Sequence, residues 1–200
     1  EKADNFDMAC HDMIKKLFTE HHRIVFNGNG YSDEWVEEAE RRGLPNIKSM
    51  VDAVPALTAP KAIKLFESFG VFTESELRSR AEIKYEAYAK AINIEAKSMI
   101  DIASKHIIPA VVSYTTELAN SVIAVSEAGV DSSTQKELLD EVTKYLKEMK
   151  AALKKLTEVT EKASDITEGK EQATYFRDVV KVAMDELRAP ADKLEMIVDK

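Results

Sequence analysis

The residues of this chain that could form a ligand site are concentrated between Arg23 and Asn46, in the stretch RIVFNGNGYSDEWVEEAERRGLPN. Residues 27–30 place two glycines and two asparagines just before a predicted helix, and helix N-termini attract phosphate and other anions. A Walker-type phosphate loop requires a Lys-Ser or Lys-Thr pair after its last glycine, and none follows Gly30. A dinucleotide loop requires a third glycine and a preceding strand. We therefore predict a structural turn in which Gly28 and Gly30 adopt positive φ.

The histidines and the cysteine form no pattern that is typical of a metal site. His21 and His22 are adjacent and point to different sides of a helix, and His11 is ten positions before His21, so no i, i+4 pair exists among them. His106 stands alone within a later predicted helix, where we expect it at a surface or an interface. Cys10 has no base nearby in the sequence, and we predict that it is a small buried hydrophobic residue.

The acidic residues favour solvated helix faces over acid–base chemistry. In residues 33–42 the spacing pairs Glu37 with Arg41 and Glu38 with Arg42, as in ordinary i, i+4 ion pairs. Nowhere does the sequence place a nucleophile with its base, or two carboxylates in a defined cleft. We therefore predict no catalytic, cofactor-binding or metal-binding residue in this chain.

The composition excludes several classes of partner. A formal charge of −8 argues against nucleic acid, which favours a basic surface, and a single cysteine indicates a reducing, cytoplasmic compartment. No apolar run approaches the roughly 20 residues of a membrane span, so we expect no membrane partner. The chain begins EKADNFDMAC, without Met and within a helical pattern, and we expect a piece cut at both ends from a longer protein.

The apolar periodicity predicts an all-α protein in two parts. Residues 1–70 are predicted to form a connecting region of shorter helices and loops that contains NGNGYS, and residues 71–200 an antiparallel bundle of three long helices. Within the first part, Ser32 is a good N-cap for a helix that ends at Gly43. Two prolines, Pro55 and Pro60, predict an irregular connection over residues 46–62.

Three long helices follow. Thr73 and Glu76 have the spacing of a capping box and open a helix with an eleven-residue apolar repeat, no strong stop before Gly129, and a predicted bend at Pro109. The second helix carries an apolar heptad pattern at Leu138, Val142, Tyr145, Met149, Ala152, Leu156, Val159, Ala163 and Ile166. The third carries Phe176, Val180, Ala183, Leu187, Ala191, Leu194 and Val198 at helical spacing, and Pro190 is predicted to kink it or to start a new turn.

The first long helix is longer than either of its partners. We therefore predict that the bundle leaves apolar residues of its N-terminal half uncovered, namely Leu77, Tyr85, Tyr88 and Ile92. Residues 1–70 or another chain must cover this surface, and we expect the isolated chain to self-associate through it. A different interpretation assigns Tyr85, Tyr88 and Tyr114 to a small-molecule sensor pocket, although packing on the core stripe explains these tyrosines more simply.

Three segments carry a resemblance to a known family: HHRIVFNGNGYSDEWVEEAERRGLPN, KAIKLFESFGVFTESELRSRAEI and INIEAKSMIDIASKHIIPAV. With them, the chain resembles the C-terminal region of type III glutamine synthetase. The resemblance covers nearly the whole chain, is tight over residues 21–114, and is looser from Glu127 to Glu171, where only helical patterning is shared. FNGNGYS is the specific signature.

The resemblance implies that the parent protein is an ATP-dependent ligase of nitrogen metabolism that makes glutamine from glutamate and ammonia. In that family the residues that bind ATP and Mg²⁺ or Mn²⁺ lie upstream of this region, so none is carried over to residues 1–200 and the chain alone is expected to be inactive. It also implies two partners, the catalytic domain of the same chain and neighbouring subunits of a ring assembly of two stacked hexamers. A structural, assembly or regulatory role follows. The alternative is a stand-alone helical-bundle interaction or sensor module.

Overall fold

The structure is a computed structural model that describes residues 5–198, and throughout that range its regular elements are helices, without a strand. The all-α prediction is therefore confirmed. The α-helices are α1 (Phe6–His21), α2 (Asp33–Arg41), α3 (Met50–Leu57), α4 (Pro60–Ser68), α5 (Glu74–Ile102), α6 (Ile108–Glu127), α7 (Ser133–Ser164), α8 (Gly169–Tyr175) and α9 (Lys181–Glu195). A 3₁₀ turn (His22–Ile24) follows α1, and π-helical turns (Ala103–Ile107 and Phe176–Val180) connect α5 to α6 and α8 to α9.

The chain divides into two compact units, Glu1–Ser49 and Met50–Lys200. Helices α3 and α4, which the sequence grouped with the connecting region, therefore belong to the unit of the long helices. The irregular connection predicted over residues 46–62 is wrong for most of its length. Pro60 occupies the first turn of α4, where its missing N–H costs nothing, and Pro55 lies inside α3, whose valines are buried on α5.

The N-terminal half of the long helix is covered within the second unit. Part of the cover is α3, which lies within residues 1–70 as one predicted alternative required, whereas the predicted bare patch at Leu77 and Tyr85 is wrong. Leu77 is fully buried and Tyr85 is 5% exposed, because α3 and α8 pack against α5 there. Ionic contacts support the same packing, since Arg177 of the second π turn binds Asp52 of α3. The sequence suggested an overhang because α3 was not recognised as a helix.

The main hydrophobic core lies among α5, α6, α7 and α9. The predicted heptad of α7 is confirmed as far as Ala163, since Val142, Met149 and Leu156 are fully buried and the other positions up to Ala163 belong to the same core. The last predicted position, Ile166, lies beyond the end of α7 and outside that core. Helices α7 and α9 run in opposite directions, as two cross-helix contacts show. Lys155 donates to Glu186 at 2.8 and 2.6 Å, and Lys193 of α9 lies over the ring of Tyr145, nearer the start of α7.

A π turn immediately precedes Pro109, where the sequence predicted a bend. The chain remains helical from residue 74 to residue 127. Pro109 has no N–H to donate to the preceding turn, and in the π turn before it the Ile108 N–H donates to the Ala103 carbonyl, five residues back. The wider turn keeps Ala103 and Val111 on the buried face.

The helix over residues 74–127 is also long and apolar enough, by length and composition, to cross a membrane. It contains an 18-residue window of mean hydropathy 1.2, so the expectation that no apolar run approaches a span was wrong. The apolar part follows Lys105, since Glu117 is the only Asp, Glu, Lys or Arg between residues 106 and 126. A mostly buried core helix of a soluble protein meets the same criteria, but only 11% of this window is buried, and Val111 and Leu118 are the residues of α6 that are buried in the main core.

Candidate functional site

The NGNGYS loop, residues 27–32, is a turn organised by Asn29. The Asn29 side-chain oxygen accepts the Tyr31 N–H at 3.0 Å, and its carbonyl accepts the Ser32 N–H at 3.2 Å and the Ser32 hydroxyl at 2.9 Å. The Ser32 hydroxyl oxygen in turn accepts the Trp35 N–H at 3.4 Å, so Ser32 caps α2 as predicted. Because these N–H groups bind within the loop, they do not point together at an anion, as a phosphate loop requires.

The two loop glycines have different roles, and neither has the positive φ that the sequence predicted. Among the residues described, positive φ occurs at Gly43, Gly70 and Gly129, each just after a helix. Gly28 is required for a close approach, since a Cβ there would lie 2.5 Å from Cζ of the Phe26 ring. A Cβ at Gly30 would meet no atom within 4 Å.

An aromatic and cationic cluster supports the loop. The Phe26 and Trp35 rings pack with centroids 4.3 Å apart, and the guanidinium of Arg42 lies 5.8 Å from the Phe26 centroid and 5.9 Å from that of Trp35. Arg42 also donates to the carbonyls of Val25 and, at 3.2 Å, Arg23. The cluster therefore ties the segment before the loop to the end of α2.

Glu38 binds both arginines at the C-terminal end of α2, Arg41 and Arg42. The predicted Glu38–Arg42 pair forms, whereas Arg41, predicted to pair with Glu37, donates to Glu38 at 2.6 Å. The hydrogen bond from Arg41 and then that from Arg42 lower the pKa of Glu38 from 4.5 to about 2. Sequence reasoning treated these residues as a solvated face and missed that Arg42 packs on aromatic rings. The sequence feature that could have indicated this packing is the spacing of Arg42, which follows the only tryptophan by seven positions.

The other sequence candidates lie apart. Cys10 is only half-buried, which corrects the prediction of a buried residue, because α1 has no buried position. His11 contacts Asp12, His22 lies in the 3₁₀ turn, and no group of three or more His, Cys, Asp or Glu side chains suited to a metal occurs within residues 5–198. The three tyrosines do not share a pocket, since Tyr85 lies in the smaller core cluster and Tyr114 in the main one.

One groove of the second unit contains a titratable ring. His106 is exposed, as expected, and lies at a groove of about 400 Å³ between the first π turn and the end of α9. Its floor is apolar, with Ile107, Val111 and Leu194 among its lining residues. The carboxylate of Asp192, which also lines it, accepts from Arg188 at 3.1 Å. The groove therefore lies at the point where α9 stops covering the long helix.

The most conspicuous surface of the first unit is one face of α1. This 16-residue helix has no buried residue, and six of its large apolar side chains are between 46% and 75% exposed, five of them on one face. We call these five the α1 face: Phe6, Met13, Ile14, Leu17 and Phe18. An exposed patch of this size marks an interaction surface more often than a solvated one.

The comparisons with known proteins agree on one family. The family model described as glutamine synthetase C-terminal domain matches residues 9–126, which is more than half of this chain. The matched range contains the NGNGYS loop and α5, and it ends where α6 ends. The looser similarity predicted beyond Glu127 fits this limit.

Curated relatives carry the same name. A glutamine synthetase of Butyrivibrio fibrisolvens is 39% identical over 121 residues, which is 60% of this chain and 17% of that protein. A type-3 glutamine synthetase of Dictyostelium discoideum is 39% identical over 124 residues, 62% of this chain and 17% of that protein. A glutamine synthetase of Bacteroides fragilis (strain YCH46) is 31% identical over 156 residues, 75% of this chain and 21% of that protein. The chain thus spans about a fifth of the length of these relatives, and the resemblance drawn from the sequence is confirmed.

Proposed function

Since this chain belongs to the glutamine synthetase C-terminal domain family, we propose that it is part of a cytoplasmic enzyme that uses ATP to make glutamine from glutamate and ammonia. Its own contribution is to hold the subunit and its neighbours together, and the chemistry belongs to the rest of the protein. The α1 face is the observation that carries this assembly role.

The α1 face needs a partner for physical reasons. Burying one large apolar side chain contributes about 1.5–3 kcal/mol, so five of them leave a large free energy unrealised while α1 is exposed. A helix of 16 residues is about 24 Å long, which is long enough to occupy a groove on another domain. The partner that we propose is the catalytic part of the same subunit or of a neighbouring one in a ring.

We propose that the residues that bind ATP and the metal ion lie in other parts of the enzyme. Mg²⁺ and Mn²⁺ prefer several carboxylate or other oxygen ligands, and residues 5–198 offer no cluster of three such side chains. In the NGNGYS loop the N–H groups of Tyr31 and Ser32 donate to Asn29 and are not directed at a phosphate. We therefore derive no catalytic step from this chain, and we expect it alone to form no glutamine from glutamate, ammonia and ATP.

The test introduces a charge on the α1 face of the whole enzyme. We expect Phe18→Glu to release smaller species in analytical ultracentrifugation and to lower activity in proportion to the loss of assembly. Lys15→Glu, on the polar side of α1, is the matched control and is expected to assemble normally. Normal assembly and activity of Phe18→Glu would reject the assembly role of α1. Glutamine formation by the 200-residue chain alone would show that catalytic residues were missed.

A further inference from the structure

The outward face of α6 carries a continuous strip that differs from the exposed face of α7. Seven residues spaced three or four positions apart follow one side of the helix from the first π turn to its C-terminus. We call them the α6 strip: Lys105, Pro109, Val112, Thr116, Ala119, Ile123 and Glu127. Val112 is 48% exposed and Ile123 is 55% exposed, so the apolar middle of the strip is open to solvent.

Most of the α6 strip lies on the part of the long helix that continues beyond the end of α9. Helix α9 ends at Glu195, and the residues of the long helix that line the groove beside its end extend only to Val111. Beyond that point α6 packs mainly on α7, so two helices continue without the third. Packing of a third helix is what covers Ala96 and Ala103 further back along the same helix. The α6–α7 end is therefore left with an unpartnered side.

Charge distinguishes the strip from the exposed faces of α7. Along α7, the outward positions are charged at almost every turn, for example at Lys147, Lys150 and Lys154. The α6 strip is uncharged over its middle, with Lys105 at one end and Glu127 at the other. Such a strip is complementary to itself when two copies run in opposite directions.

We propose that the α6 strip binds the α6 strip of a second copy of this chain, antiparallel about a two-fold axis at Thr116. In that register Lys105 lies opposite Glu127 of the second copy, eleven residues on either side of the axis, and Pro109 lies opposite Ile123. The opposite charges meet at both ends and the apolar residues meet between them. Lys105 also contacts Asp101 of its own helix, and the exposed ion pair leaves its ammonium able to turn to a second carboxylate.

The size of the contact predicts a weak dimer. Residues 105–127 span about 34 Å at 1.5 Å per residue, and a contact about 10 Å wide covers roughly 350 Å² of each copy. A standard stable interface buries about 800 Å² per partner, so the strip alone gives association only at micromolar concentrations or above. This pairing rests on the assembly role proposed above and adds to it a specific face and a specific partner.

The first experiment is sedimentation of the 200-residue chain over a range of concentrations. We expect a concentration-dependent dimer that Ile123→Glu weakens by roughly tenfold or more, since it places two carboxylates in the apolar middle of the contact. Lys147→Glu on α7 is the matched control and leaves the dimer unchanged. Lys105→Glu and Glu127→Lys each weaken the dimer, and the double variant restores it, because the charges then pair in the reverse sense.

The second experiment tests the register by oxidation. In a Cys10→Ser background, Thr116→Cys at the two-fold axis forms a disulfide-linked dimer readily, because both copies present it at the same place and disulfides need Cα atoms within about 7 Å. Thr143→Cys, exposed on α7, does not. Circular dichroism of each variant establishes that the helices are retained.

Three results would overturn the proposal. One is a strictly monomeric chain at high concentration, and another is a dimer that Ile123→Glu leaves unchanged and Thr116→Cys does not link. The third is binding of the chain to anionic or neutral phospholipid vesicles that Ile123→Glu abolishes, which would assign the strip to a membrane surface. If the α1 variants disperse the whole enzyme while one of these results holds, only the α6 pairing fails.

Discussion

The substitution Gly28→Ala tests whether the NGNGYS loop is held by the close approach of Gly28 to Phe26. A Cβ at residue 28 would lie 2.5 Å from Cζ and 2.8 Å from Cε1 of the Phe26 ring, closer than non-bonded carbon atoms approach. The ring must therefore move. Its position is constrained because it packs on Trp35 at 4.3 Å and lies beneath Arg42.

The expected cost follows from the contacts that the ring would lose. An aromatic pair contributes about 0.5–1.5 kcal/mol beyond its buried area. A cation–π contact of an arginine at a partly exposed site contributes about 0.5–1 kcal/mol more. Gly28→Ala is therefore expected to destabilise the first unit by about 1–2 kcal/mol. Gly30→Ala is the matched control, since its Cβ would meet nothing and its φ is not positive, and it should stabilise the unit by about 0.4–1 kcal/mol through the unfolded state.

Fluorescence of Trp35, the only tryptophan, reports this unit directly during urea titration. We expect the midpoint of the fluorescence change to fall for Gly28→Ala and to rise or stay constant for Gly30→Ala. Equal shifts of the two variants, in either direction, would refute the close-approach argument. A loss of stability at Gly30 alone would restore the positive-φ interpretation of the sequence.

Two further predictions concern the main core and the pH dependence of the first unit. Leu156→Asp places a carboxylate at a fully buried position of α7, and we expect it to lower the free energy of unfolding by several kcal/mol, measured by urea titration followed by circular dichroism. Lys147→Asp, on the exposed face of α7, should change that free energy by no more than about 0.5 kcal/mol. Equal losses of stability in the two variants would contradict the heptad assignment. The pKa of Glu38 is about 2 in the folded protein against 4.5 ordinarily, so the stability that Glu38 contributes is complete above about pH 4.5 and is lost as the pH falls toward 2. The urea midpoint of Trp35 fluorescence should fall over the same pH range, and Glu38→Gln should make that pH dependence smaller. An unchanged pH dependence in Glu38→Gln would contradict the ion-pair assignment.

Much of the helical architecture could be predicted from the sequence because it depends on local periodicity. The capping box at Thr73 forms as predicted, with the Glu76 N–H donating to the Thr73 hydroxyl and the Glu76 carboxylate accepting the Thr73 N–H. The heptad of α7 likewise identified its buried face, since a period of 3.5 leaves few alternative faces. Both signals lie within a single helix and need no knowledge of what packs against it.

The errors arose where tertiary packing or irregular local hydrogen bonds decide the structure. Pro55 suggested a break, and α3 forms there because Val51 and Val54 are buried against α5 and α8. The NGNG sequence suggested positive φ, and the loop instead uses Asn29 as an internal acceptor. Before Pro109 the helix forms a π turn, which the sequence did not indicate. At α3 the deciding contacts are distant in the sequence, whereas in the loop and in the π turn they are hydrogen bonds between residues two to five positions apart.

The same packing relocates the surface through which copies of this chain are expected to meet. If the N-terminal half of the long helix were bare, association would involve Tyr85 and Tyr88. Helices α3 and α8 bury that half, so a charge at Tyr85 would unfold the second unit and would give no information on assembly. The length that α9 cannot cover lies at the other end, beyond Val111, where the helix displays Val112 and Ile123 without an intervening charge on the strip. The second unit thus covers the half of the long helix that carries Tyr85 and Tyr88. It exposes the end whose strip has Lys105 and Glu127 at its two ends, and these charges are complementary to those of a second copy.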